Sequence, residues 1–149
     1  MRIWCLGNAL LGDDAVGCRV AELLLEKKIP GVLDCGTTPE NYIATLRTPA
    51  LHTRPPSTLL IVDAADMGLA PGELRRLSIE ELDATATVSH GIPLSLLLST
   101  FADVFEIVVL GIQPATMQLG APLSDAAERG AHRAVELIER GEWRTVQKL

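Results

Sequence analysis

Apolar positions along this chain follow two rhythms. Unbroken runs at RIWCL (2–6), within STLLIVDA (57–64) and at FEIVVLGI (105–112) lack the alternation of a half-exposed strand. They predict strands buried on both faces. GVLD (31–34) predicts a second short strand, and GELRRLSI (72–79) a weaker, partly exposed one suited to a sheet edge. Between these runs the spacing becomes helical. Val16, Val20, Leu23 and Leu24 form a stripe between Asp14 and Lys28, and Leu94, Leu97, Leu98 and Phe101 form another behind Pro93. Ala127, Ala131, Ala134 and Ile138 share a face from about Ser124 to Arg140. PENYIATLR (39–47) opens on a proline, which a helix tolerates in its first turn, and predicts a short helix. Asp13 is placed to cap the first long helix. RTPALHTRPPS (47–57) carries three prolines and predicts a surface loop. Buried strands alternating with amphipathic helices predict an α/β fold: a mostly parallel sheet covered on both faces, in a single domain over 1–149.

Composition narrows the function. Apolar residues are 48% of the 149 and aromatics only 3%, so the core is built of Leu, Val, Ile and Ala. A net charge of -6 argues against nucleic-acid and anionic-membrane partners, which require a basic face. No apolar run approaches the roughly 20 residues of a membrane span. No signal segment precedes the first strand, so the expected location is cytoplasmic. Cys5, Cys18 and Cys35 are odd in number, lack C-x-x-C spacing and read as small buried thiols.

The informative stretch is GNALLGDDAVG (7–17). It opens like a phosphate loop, G-x-x-x-x-G, but places Asp13 and Asp14 where such a loop needs Lys and Ser or Thr. Carboxylates there would repel phosphate. In a parallel sheet the ligand site lies beyond the carboxyl ends of the strands, near the reversal of strand order. Asp14 follows the first strand. Asp63 ends the LLIV strand, with Asp66 three residues later, and His90 in TVSHGIP precedes a helix starting at Pro93. Two carboxylates and an imidazole are a donor set for a borderline divalent cation such as zinc, nickel or iron. Each residue also has an ordinary reading: a helix cap for Asp13, dipole compensation for Asp14, a turn for Asp63 and a hydrogen-bonded histidine for His90. Their common edge favours the ligand set. His52 and His132 read as solvated surface histidines. No Ser–His–Asp or Cys–His arrangement is apparent.

A metal-binding or receiver-like regulatory module is the alternative, since a phosphoacceptor receiver too places acids after the first and third strands. A receiver needs a lysine after the last strand. Here Gln113-Pro114 follows FEIVVLGI, and the nearest lysine beyond is Lys148.

GNALLGDDAVG, DCGTTPEN, LLIVDAADMGLAPGELR, SHGIPLSLL and VVLGIQP, in this order, resemble the nickel–iron hydrogenase maturation endopeptidases, in the branch that serves the formate-hydrogenlyase hydrogenase. The resemblance implies a three-layer α/β sandwich with a twisted, mostly parallel sheet. It implies cleavage of a C-terminal tail from the hydrogenase large-subunit precursor after nickel insertion. It implies that Asp14, Asp63 and His90 form the metal-binding and catalytic trio. Nickel then arrives with the precursor, and cadmium or zinc can replace it on the isolated protein. Two departures stand out. Ala15 replaces a frequent glycine and is expected to stiffen the turn. Cys35 replaces another and is expected to narrow the floor of the cleft.

Overall fold

The structure, a computed structural model, describes residues 1–47, 56–85 and 91–149. Five strands form one sheet: β1 (Arg2–Leu6), β2 (Val32–Gly36), β3 (Ser57–Ala64), β4 (Leu74–Leu77) and β5 (Phe105–Ile112). Their order is β2-β1-β3-β5-β4. All neighbours pair in parallel except β4, which runs antiparallel to β5 at the edge. The weakest predicted strand is thus an edge strand of the five, and the C-terminal segment pairs with it at Arg76, whose N–H donates to the Gln147 carbonyl at 2.9 Å.

Side chains leave each strand alternately. Ile3, Cys5, Leu60 and Val62 enter a core layer shared with α1 (Val16–Glu26) and α4 (Asp125–Glu139). Trp4, Leu6, Leu59 and Ile61 enter the opposite layer. That layer is covered by a 3-10 turn at Pro39–Leu46, by α2 (Ile79–Thr85) and by α3 (Leu94–Leu97). Burial on both faces explains why these strands read as unbroken apolar runs. The expected three-layer sandwich is present.

The short helix predicted at PENYIATL is present as a 3-10 helix, Pro39–Leu46. The strand predicted over 72–79 ends at Leu77, and α2 starts at Ile79. The predicted loop at 47–57 lies mostly outside the described residues, and its last position, Ser57, opens β3.

The topology sets the position of the site. From β1 the chain steps to β2 on one side, then crosses back past β1 to β3 on the other. Connections leaving β1 and β3 therefore diverge at their carboxyl ends and open a crevice between them. The start of α1 is pressed against this point. A Cβ on Gly17 would lie 1.9 Å from the Leu6 carbonyl oxygen and 2.9 Å from that of Val62. Only glycine permits that approach.

Candidate active site at the carboxyl edge

Beyond β1 the Gly7 N–H continues the sheet pairing by donating to the Gly36 carbonyl at 3.0 Å. The chain then folds back so closely that a Cβ on Gly7 would lie 2.2 Å from the Asp14 carbonyl oxygen. This fold-back is completed by a 3-10 turn at Gly12–Ala15. The turn buries Asp14, which is 3% exposed, and its Oδ2 accepts from the Asn8 N–H at 3.0 Å. Asn8 also accepts from the Leu10 N–H through Oδ1, at 2.9 Å. One asparagine thus ties the loop to itself and to the carboxylate.

Asp63 lies at the end of β3 and is 1% exposed. Its Oδ1 accepts from the Ala64 N–H at 2.8 Å. The pairing of Cys5 with Val62 sets the last residues of β1 and β3 side by side. The Cys18 thiol, one turn into α1, shows how these acids cluster. Burial pushes it up, and the charges of Asp34, Asp14 and Asp63 push it further, to about 12. The structure therefore brings Asp14 and Asp63 to the same neighbourhood.

His90 lies outside the described residues, as does His52. The helix expected after His90 is present: Pro93 caps α3, and the Leu94 and Ser95 N–H groups donate to the Asp83 carboxylate at 2.9 and 3.0 Å. Among the described residues no three His, Cys, Asp or Glu side chains form a metal-sized cluster. His132 is an exposed surface residue bonded to Glu128, as expected.

Asp13 does not cap α1; neither the turn nor the helix has a side-chain cap at its start. Its carboxylate, fully buried, reaches across to the segment after β5 instead. Oδ2 accepts from the Ala115 N–H at 2.7 Å and the Thr116 N–H at 3.4 Å, and Oδ1 accepts from the Ser124 N–H at 2.7 Å. The Ser124 hydroxyl donates to Oδ2 at 2.7 Å while accepting from the Ala127 N–H as the cap of α4. Burial raises the Asp13 pKa, but the hydrogen bonds from Ser124, Ala115 and Thr116 outweigh it and hold the group below the ordinary carboxylate value.

Sequence spacing also missed Gln113, a buried amide just after β5. Its Oε1 accepts from the Met67 N–H at 2.7 Å and the Leu69 N–H at 3.2 Å. Its Nε2 donates to Asp66 at 3.1 Å and to the Pro114 carbonyl at 3.3 Å. The loop that follows Asp63 is therefore held from the neighbouring strand. A polar residue closing an apolar strand was the available signal.

Both departures lie on described residues. Ala15 has φ -75° and ψ -5°, ordinary right-handed backbone that needs no glycine. Cys35 is 2% exposed and belongs to the core layer of Trp4 and Leu6, so it does not form the floor of the crevice. All three cysteines are free, and burial is the leading cause that raises each thiol.

A model of the hydrogenase maturation protease family matches residues 18–141. The chain belongs to that family. Members of it are similar over most of their length. The hydrogenase 3 maturation protease of Escherichia coli strain K12 is 37% identical over 132 residues, covering 83% of this chain and 81% of the relative. A putative hydrogenase maturation protease of Methanocaldococcus jannaschii is 31% identical over 142 residues, covering 89% of each. The solution structure of the endopeptidase HycI from Escherichia coli superposes with a TM-score of 0.84 at 30% identity, covering 99% of this chain and 95% of that one. The chain is accordingly a peptide hydrolase of the hydrogenase maturation protease family. The matched span includes Asp63 and His90 but begins after Asp14.

Proposed function

We propose that this protease removes the C-terminal tail of a nickel–iron hydrogenase large-subunit precursor once nickel has been inserted, and that Asp14, Asp63 and His90 meet the nickel the precursor carries. The observation that carries the reading is the pair of buried carboxylates, Asp14 and Asp63, on either side of the strand-order reversal in a chain of this family.

The donor chemistry fits such a cation. Asp14 accepts from the Asn8 N–H and Asp63 from the Ala64 N–H, contacts that fix the direction of each carboxylate. Burial raises the strength of charge–charge attraction and makes two adjacent carboxylates costly without a cation. Imidazole nitrogen from His90 completes a borderline set suited to nickel, with zinc or cadmium as substitutes on the isolated protein. Nickel is part of the substrate in this reading, and as a Lewis acid it would polarise a carbonyl or water brought beside it. The chain's own residues position the substrate. Asp14 is fixed by Asn8, its turn is anchored through Asp13 to the loop after β5, and the loop beyond Asp63 is braced by Gln113.

The regulatory alternative fares poorly here. The place a receiver reserves for lysine holds Gln113, whose amide is occupied by Asp66 and by Met67 and Leu69.

The test is mass spectrometry of a large-subunit precursor incubated with the protein, with and without nickel in the precursor. Loss of the tail only from the nickel-loaded form is expected. Equal loss from the nickel-free form would show that the trio does not read the metal.

A further inference from the structure

Peptide hydrolysis builds negative charge on the carbonyl oxygen of the scissile bond, and catalysis is served by a donor already in place for it. The buried acids at the carboxyl edge do not supply one, since an oxyanion beside Asp14 and Asp63 would meet like charge. Main-chain donors of the first loop are spent on the loop itself. The Asn8 N–H donates to Asp14 Oδ2 at 3.0 Å, the Leu10 N–H to Asn8 Oδ1 at 2.9 Å, the Leu11 N–H to the Asn8 carbonyl at 3.2 Å and the Asp14 N–H to the Leu11 carbonyl at 3.0 Å. One side-chain donor is left over. The Asn8 amide has an acceptor oxygen and an NH₂ with two donors. Because the Leu10 N–H is itself a donor, the end facing it is the oxygen, and the NH₂ is turned away from Leu10. Among the described residues Nδ2 has no hydrogen-bond partner. Asn8 is half-buried, so a substrate can reach it. Covalent geometry limits how far the amide lies from the acids. Nδ2 is at most about 5 Å from its own main-chain nitrogen, which is 3.0 Å from Asp14 Oδ2, so amide and carboxylate oxygen are within about 8 Å. A metal on Asp14, about 2 Å beyond that oxygen, and a carbonyl beside the metal would fill such an interval.

We infer that Asn8 is a catalytic residue whose Nδ2 donates to the carbonyl oxygen of the scissile bond as the tetrahedral intermediate forms. This role rests on the function proposed above and adds the group that takes the developing charge. The oxygen of water bonds to the carbonyl carbon, and the π pair moves onto the carbonyl oxygen, where the amide meets it. Return of that pair breaks the C–N bond. One proton of the water passes to the departing nitrogen, giving a free amine, and the other stays with the new carboxyl group. Asn8 keeps its own protons throughout. A neutral amide suits this place, because a lysine or arginine would pair with Asp14 and compete with the metal for it. The donor is also set before the reaction starts. Oδ1 is held by the Leu10 N–H, and the Asn8 main chain is held by Asp14 and Leu11, so little reorganisation is needed when charge appears.

Asn8→Asp and Asn8→Ser separate a donor from a loop-former. Asp is isosteric and still accepts from the Leu10 N–H, but it has no NH₂. Ser accepts from the N–H two residues on in the same way and stays neutral, but its hydroxyl is too short to stand where Nδ2 does. If Asn8 only shaped the loop, both would serve, because the side-chain bond it makes among the described residues is as an acceptor. Each protein is compared with wild type for kcat and KM on nickel-loaded precursor and for melting temperature. Asn8→Ser, which adds no charge, is also compared for nickel affinity by calorimetry without precursor. The expected result is a kcat lowered about a hundredfold or more in both variants, the scale on which loss of one oxyanion donor is felt. In Asn8→Ser, KM, nickel affinity and melting temperature should stay at the wild-type level. Two results would overturn the assignment. One is wild-type kcat in either folded variant. The other is a fall in kcat for Asn8→Ser matched by an equal loss of nickel affinity, which would mean that Asn8 acts only by positioning Asp14. Failure of the proposed function itself looks different: wild-type protein would leave nickel-loaded precursor uncut.

Discussion

Asp13 and Ser124 lie 111 positions apart in the chain and share two hydrogen bonds, each of 2.7 Å, one from the serine N–H and one from its hydroxyl. Through that pair the turn carrying Asp14 and the start of α4 form one unit. Every group facing the Asp13 carboxylate is a donor, so the site requires a group that only accepts.

The first prediction follows from that requirement. Asp13→Asn would turn an NH₂ toward donors and leave at least one buried N–H or O–H without a partner. It should cost on the order of 3 kcal/mol in urea unfolding, given the penalty for unsatisfied groups around a buried charge. A helix-cap role would have made this substitution mild. Cleavage should fall with it, because Asp14 is the next residue.

Acid should act through the same group. The folded-state pKa of Asp13 is depressed, so its contribution is fully present above the unfolded value and is lost as pH falls through the folded one. Wild-type unfolding free energy, measured by urea titration at a series of acidic pH values, should therefore decline below the ordinary carboxylate range. In Asp13→Asn that decline should be shallower.

Replacing the trio should separate activity from folding. Asp14→Asn and Asp63→Asn keep the oxygen that accepts from Asn8 or Ala64, so melting temperatures should change by a few degrees at most. Cleavage of nickel-loaded precursor should fall more than about a hundredfold, since even residues behind metal ligands cost 10–100-fold. His90→Ala should behave alike. Calorimetry with nickel or cadmium should show weakened binding in all three, and weaker wild-type binding as pH is lowered, because ligands must shed protons to bind. Wild-type affinity in His90→Ala would remove that residue from the set.

Gln113→Glu tests the brace on the loop after β3. The change keeps an acceptor for Met67 and Leu69 but removes the donor and sets a carboxylate against Asp66. Hydrogen exchange should show faster exchange of the Met67 and Leu69 amides, with a stability loss of about 1–3 kcal/mol. Gln113→Ala should accelerate the same amides. Unchanged exchange in both would mean the loop holds its own shape.

Gly17→Ala should be among the most damaging single methyl additions. Its Cβ would lie 1.9 Å from a backbone oxygen, so α1 or the sheet must move. Gly141→Ala is the contrast. Nothing lies within 4 Å of the added Cβ, and only the left-handed φ of 70° is strained, at about 1–2 kcal/mol. Melting curves of the two variants should differ widely.

Much of this was legible in the sequence because it is local. Apolar runs gave β1, β3 and β5 because both faces of these strands are buried. Helical spacing gave α1 and α4, and Ser124, read as the approximate start of the last helix, is the residue that caps it. The missed α2 also had a local signature. Ser78 and Glu81 form a capping box, with the Glu81 N–H donating to the serine hydroxyl oxygen at 3.1 Å and the Ser78 N–H to the glutamate at 2.7 Å. Reading LSI as the end of a strand hid it. At the site, the shared edge of Asp14 and Asp63 followed from topology alone. The roles of Asp13 and Gln113 did not, because their partners come from segments about a hundred and about fifty residues away, brought near only by the crossovers of the sheet.

The unequal layers on the two faces of the sheet have a mechanical consequence. α1 and α4, of 11 and 15 residues, cover one face, whereas α2 and α3 on the other have 7 and 4. Helices that short gain little from their own cooperativity and hold their shape only while packed. Partial opening should therefore begin in the layer of α2 and α3, as native-state exchange would show. Asp14 belongs to the long-helix side and Asp63 to the central strand, so both would keep their places during such an opening. The sheet and its long-helix side then act as a fixed platform for Asp14 and Asp63 while the opposite layer opens.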